Sequence, residues 1–300
     1  MAEQSRSDPP SLADLRREID LIDERVHRLL MDRGEIIDRL IAVKHTQETG
    51  SAFRPAREAD MMRRLVDRHS GILPLDTVES IWRVIIATFT YVQAPFSVHA
   101  DLSAGDAAMR DSARFHFGFT VPFVPHMGAA SVVAAVSDSK GDLGLVPAFA
   151  MTGVGAWWSA LEFDAAPKII ARLPFVDRAD HPAAVPVFVV SRAAPDAMVK
   201  EVEVWSVRVA GWSAAAAQAL GPLAEVIAVP DRAFDGAALL ISVPHSASKT
   251  RVNALTASID TVTDALIEAG ASVRASGLVG SHATRYRVPA KGARPVPTGR

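Results

Sequence analysis

The chain has 300 residues, 49% of them hydrophobic, with 32 Lys+Arg against 34 Asp+Glu and no cysteine. A near-neutral balance supplies no basic footprint for nucleic acid, and the absence of cysteine excludes disulfides, thiolate catalysis and cysteine metal sites. The N-terminus is polar, without an apolar signal core, and no run reaches the roughly 18–20 apolar residues of a membrane span; a cytoplasmic protein with no membrane or nucleic-acid partner is expected.

Residues 1–10 read as a disordered lead-in. Ser11 and Asp14 then form a variant of the capping box, and one long amphipathic helix is predicted over 11–44. Its seam, in steps of three and four, is Leu12, Leu15, Ile19, Ile22, Val26, Leu29, Arg33, Ile36, Leu40 and Val43. Nine of these are aliphatic and one is an arginine. A guanidinium in a buried seam asks for an anion, either a neighbouring carboxylate or a ligand. Thirty-odd helical residues span about 50 Å, more than a small domain, so this helix is expected to pack against a second copy of itself.

Gly50 ends the helix in a loop over 47–52. Pro55 opens a shorter helix over 56–69, with Met61, Met62, Leu65 and Val66 inward. A third helix is predicted over 76–93, with the seam Val78, Trp82, Ile85, Ile86, Phe89 and Gln93. Arg33 and Lys44 are eleven residues apart, close to three turns, and point to one side. Arg57 and Glu58 open the second helix and Gln93 closes the third. Cations converging on an apolar cavity suit a small dianion, because guanidinium and carboxylate pair in a bidentate manner. Arg17, Arg25, Arg28, Arg39, Arg63 and Arg64 read instead as solvated surface.

This helical unit resembles the all-helical chorismate mutases. The opening Leu15-Arg16-Arg17-Glu18-Ile19-Asp20-Leu21-Ile22-Asp23 is similar to the start of that family, and Arg33, Lys44, the pair Arg57-Glu58 and Gln93 stand where the family carries its polar residues. The resemblance implies an intertwined homodimer that rearranges chorismate to prephenate with no metal or cofactor. It implies that Arg33 and a partner's Arg16 grip the substrate carboxylates, with Arg57 closing that end. Lys44 and Gln93 would hydrogen-bond the ether oxygen, and Glu58 the hydroxyl. Arg54 stands where some members have aspartate and Phe89 where some have serine.

Residues 96–112 read as a linker. Beyond them, strands are predicted over 143–147, 168–173, 185–190, 203–209, 225–229, 238–243 and 285–288, and helices over 129–137, 212–220 and 250–269; 246–250 caps the last. The alternation predicts an α/β domain over 105–290, after an all-α domain over 11–95 and before a disordered tail over 291–300. Trp157-Trp158 reads as core or interface, and the scattered histidines as ordinary. Asp142-Leu143-Gly144-Leu145-Val146-Pro147 and Thr284-Arg285-Tyr286 resemble stretches of prephenate dehydratases, whose threonine is catalytic. That resemblance implies a two-lobed, periplasmic-binding-like fold. Its Glu-Asn-Ser is replaced here by Ala148-Phe149-Ala150, and its glycine-rich opening is missing. Three readings follow: a mutase whose appended domain has lost its own site; a bifunctional enzyme using Thr284, with Arg285 beside it; and a non-catalytic sensor of an aromatic amino acid.

Overall fold

The computed structural model describes residues 10–44, 52–149, 155–183, 185–192, 199–229, 236–245 and 257–288. The chain forms two compact units, residues 1–48 and 49–300, and each is described by itself.

The first unit is helix α1, Leu12–Lys44. It begins as the capping pattern requires: Ser11 Oγ accepts from Asp14 N at 3.2 Å, and Ser11 N donates to Asp14 Oδ2 at 3.0 Å. The Ser11 hydroxyl, followed by Arg17, holds the Asp14 carboxyl below its usual range. Eight of the nine seam aliphatics are exposed in the single chain, from Leu15 at 43% to Val43 at 80%. The expected loop at 47–52 lies outside the described residues except for Ala52.

The second unit opens with α2, Pro55–Arg68, and α3, Leu75–Gln93. Pro55 sits at the start of α2, where its missing N–H costs nothing. The stretch 96–112, expected as a linker, is instead β1, Val98–Asp101, and the first half of α4, Asp106–Phe117. The sequence signal was hidden because Val98-His99-Ala100-Asp101 alternates two small apolar residues with two polar ones. There follow β2, Phe123–His126, α5, Ala129–Ser137, and β3, Leu143–Pro147. Next come β4, Lys168–Leu173, the short β5, Val176–Asp177, and β6, Val187–Ser191. The remainder is β7, Val202–Ala210, α6, Ala214–Leu220, β8, Glu225–Ala228, β9, Ala237–Pro244, α7, Ile259–Glu268, β10, Ser272–His282, and β11, Tyr286–Arg287. Helix α6 starts two residues later than predicted because Ser213 is its cap, accepting from Ala216 N at 3.2 Å. The first part of the helix predicted over 250–269, with its cap at 246–250, lies outside the described residues, as do 1–9 and 291–300.

Nine strands form one mixed sheet in the order β2-β1-β3-β6-β4-β10-β7-β9-β8. β2, β1 and β3 run parallel; β10, β7, β9 and β8 are antiparallel. The two parts join where β4 and β10 meet in parallel at one register pair, Ile169 with Gly280. β11 pairs with β5 in a separate two-stranded sheet.

Alternation along the strands separates two faces. Leu143, Leu145, Val187 and Val189 face a core shared with Met62, Leu65, Val66, Ile86 and Ala87 of α2 and α3. Phe188, Val190 and Ile169 face the other side, with Val132 and Val133 of α5 and with Trp158. Both faces are therefore buried, which is why β3 and β6 read as unbroken apolar runs. Trp158 is core, 1% exposed, as its sequence pattern suggested. Gly144 takes no side chain because a Cβ there would lie 2.7 Å from Val132 Cγ1. Among the described residues, no helix is long and apolar enough to cross a membrane.

Candidate functional site

On α1, Arg16 is exposed and Arg33 is half-buried; Lys44 is the last helical residue. Arg16 and Arg33 are seventeen residues apart, about 25 Å along one helix axis. One copy of the helix cannot bring both to one small molecule.

In the second unit, Arg57 is exposed on the first turn of α2, and Glu58 beside it is buried. Gln93 ends α3 half-buried, its amide donating to Phe89 O at 2.8 Å. Glu58 is engaged: its Oε2 accepts from Arg83 Nη1 at 2.6 Å. Arg83 Nη2 donates to the His116 carbonyl at 3.2 Å, and its guanidinium lies 5.2 Å from the centre of the Phe175 ring.

Arg83 was invisible in the predicted seam. The buried residues of α3 are Glu79, Arg83, Ile86, Ala87 and Thr90, a stripe beside the expected one. Its signal was the one that singled out Arg33: a charge at the helical spacing of apolar neighbours. Glu79 is fully buried and takes Arg178 Nη2 at 3.0 Å and His181 Nε2 at 3.1 Å. His181 Nδ1 accepts from Ala183 N, so its proton resides on Nε2 and points at Glu79. Arg178 also pairs with Asp76. His116 stacks on His181 with ring centres 6.1 Å apart. Burial, then the charge of Arg83, holds the His116 imidazole well below its ordinary range.

A second polar group surrounds the Thr284 motif. Thr284 N donates to Glu201 Oε2 at 2.9 Å, and Arg285 pairs with Asp177 at 2.9 Å. Tyr286 hydrogen-bonds Asp67 of α2. Arg172 on β4 makes a bidentate pair with Glu225 on β8, at 2.6 and 2.9 Å. These strands are four places apart in the sheet, so this half must coil to let them meet. The buried Ser242 Oγ, Ser281 Oγ and His282 Nε2 have no hydrogen-bond partner among the described residues.

Burial pushes the His282 imidazole down to about 4, against the pull of the Ala283 carbonyl. The unfolded chain takes up this proton near pH 6.5 and the folded chain only near 4. Stability present above pH 6.5 is therefore lost as the pH falls to 4, by about 3 kcal/mol at most. Glu225, lowered chiefly by its hydrogen bond to Arg172, loses its contribution in the same direction at lower pH. Urea unfolding at pH 7 and pH 4 should show this loss, and His282→Gln should reduce it.

Strands β2, β1 and β3 align a third group. His99 Nδ1 lies 2.8 Å from His126 Nε2, and His99 Nε2 lies 3.2 Å from Asp142 Oδ2. The pairing of the three strands brings these side chains together across register, since His99 lies opposite Val124 and Gly144, and sequence spacing could not show it. Among the described residues, no group of three or more His, Cys, Asp or Glu could hold a metal ion.

The model of the chorismate mutase type II family matches residues 15–94. The bifunctional chorismate mutase/prephenate dehydratase of Aquifex aeolicus (strain VF5) is 27% identical over 140 residues, covering 45% of this chain and 38% of that protein. The protein of the same description from Neisseria gonorrhoeae (strain ATCC 700825 / FA 1090) is 31% identical over 103 residues, covering 34% and 27%. The chain thus spans about two fifths or less of the length of these relatives. A prephenate dehydratase from Streptococcus mutans aligns with 64% of this chain and 100% of its own, at 13% identity and a TM-score of 0.38, a likeness too low to carry an argument. The matched segment covers α1 from Leu15, together with α2 and α3, so it contains Arg16, Arg33, Lys44, Arg57, Glu58 and Gln93, and also Arg83.

Proposed function

We propose that this protein is a chorismate mutase, acting as a homodimer through α1. The observation that carries the reading is the family match of residues 15–94, within which the expected cations and amide all occur. Chorismate has two carboxylates and an enol ether. Arg33, with the partner's Arg16, binds the carboxylates, and Arg57 closes that end. Lys44 and Gln93 stabilise charge developing on the ether oxygen as its C–O bond breaks. Glu58 binds the hydroxyl. The reaction is a concerted rearrangement, so catalysis consists of holding the compact conformer and meeting the developing charge with fixed donors. The test is loss of chorismate and appearance of prephenate with the purified chain.

The exposed seam of α1 supports the dimer: an unpartnered apolar stripe of this length marks an association surface. Leu29→Asp places a carboxylate in that seam. It should shift the chain to monomer in analytical ultracentrifugation and abolish turnover, because Arg16 and Arg33 then cannot serve one substrate.

A second reading is favoured by the bifunctional relatives: the α/β domain dehydrates prephenate, with Thr284 as acid and Arg285 beside it. Phenylpyruvate formed from prephenate, and lost in Thr284→Ala, is the expected result.

A further inference from the structure

The geometry points to Arg83 as the positioning residue for Glu58, an inference that rests on the chorismate mutase reading above. Glu58 is 4% exposed and Arg83 1% exposed. Arg83 takes one carboxylate oxygen, Oε2, at 2.6 Å; among the described hydrogen bonds Oε1 accepts none, which leaves it for a substrate hydroxyl. The competing acid on the same helix face is committed elsewhere, since Glu79 binds Arg178 and His181. Arg83 thus has one anion to serve.

What holds Arg83 lies outside the helical segment. The His116 carbonyl at the end of α4 takes Nη2, and Phe175, which follows β4, lies against the guanidinium. The titratable group beside this pair is His116 of α4, which stacks on His181; His181 and Arg178, from the 174–183 segment, both bind Glu79 of α3. The appended α/β domain therefore fixes the arginine, and the arginine fixes the glutamate. A guanidinium suits this task because its planar fork serves two acceptors at once, which an ammonium does less well.

The experiment is a double-mutant cycle on the full chain, read as chorismate turnover and as thermal unfolding. Arg83→Met should lower kcat/KM by at least about tenfold, mostly through KM, because the hydroxyl contact is made in ground state and transition state alike. In a Glu58→Gln background the same change should cost less than about twofold, because groups acting as a unit are not additive. Arg83→Lys, which keeps the charge, should recover part of the loss. A full, undiminished cost in the Glu58→Gln background would make Arg83 merely structural and overturn the inference, as would unchanged turnover in Arg83→Met. If Arg83→Met alone does not fold, the uncharged pair Glu58→Gln/Arg83→Met, compared with Glu58→Gln, decides by the same criterion. An unmodified chain that does not turn over chorismate overturns the mutase reading and this inference with it; an active chain with an additive cycle overturns this inference alone.

Discussion

Arg33→Ala should lower kcat/KM for chorismate by about 10²–10³-fold, the scale of losing one preorganised charged donor, while Arg25→Ala should change it by less than about twofold. The contrast is the content of the prediction. Both are arginines on the same helix, eight residues apart. Arg25 is fully on the solvent side, whereas Arg33 is half-buried within a stripe of aliphatic residues. A cation among apolar neighbours acts through a low local dielectric, so its pull on a carboxylate is screened less than that of a solvated one. Equal effects of the two variants would mean that the seam arginine is not the substrate's partner. Steady-state rates on chorismate measure both, and unchanged circular dichroism shows that the helix persists.

Gly280→Ala should destabilise the second unit by about 3–5 kcal/mol, the combined scale of overpacking and backbone strain. A Cβ at Gly280 would lie 2.1 Å from the Ile169 carbonyl oxygen and 2.6 Å from Ile169 N. These are backbone atoms and cannot rotate away. The φ of +155° adds conformational cost. The clash falls on the one register pair that joins β4 to β10, so relief requires the two parts of the sheet to separate. Gly155→Ala is the control: a Cβ there meets nothing within 4 Å, and the change should lie within about 0.5 kcal/mol. Urea unfolding of the two variants makes the comparison.

The parts of this fold that depend on local pattern were legible in the sequence. A seam in steps of three and four, a capping serine and Pro55 located α1, α2 and α3 nearly to the residue, and the unbroken apolar runs located β3 and, within two residues, β6. What escaped depended on partners distant in the chain. β10 was missed because Ser272 to His282 mixes small and polar residues with two glycines; its strand character comes from pairing with β7 over almost its whole length. The buried stripe of α3 was misplaced because its charges, Glu79 and Arg83, read as surface until Arg178 and Glu58 supply counter-charges and His181 a hydrogen bond. Of the candidate site, the residue types could be named from α1 to α3. The Glu58–Arg83 pair could not, since its geometry depends on α4 and on Phe175.

The place of β10 has a consequence for biosynthesis. Strands β2, β1, β3, β6 and β4 leave the ribosome early and can assemble among themselves, and β7, β9 and β8 can do the same. β10, the tenth of the described strands in chain order, belongs between the two groups. Until it emerges, β4 and β7 each present an unpaired edge, the kind that recruits foreign strands. The nascent chain therefore carries two open edges from the making of β7 until the making of β10, and that single late strand closes both.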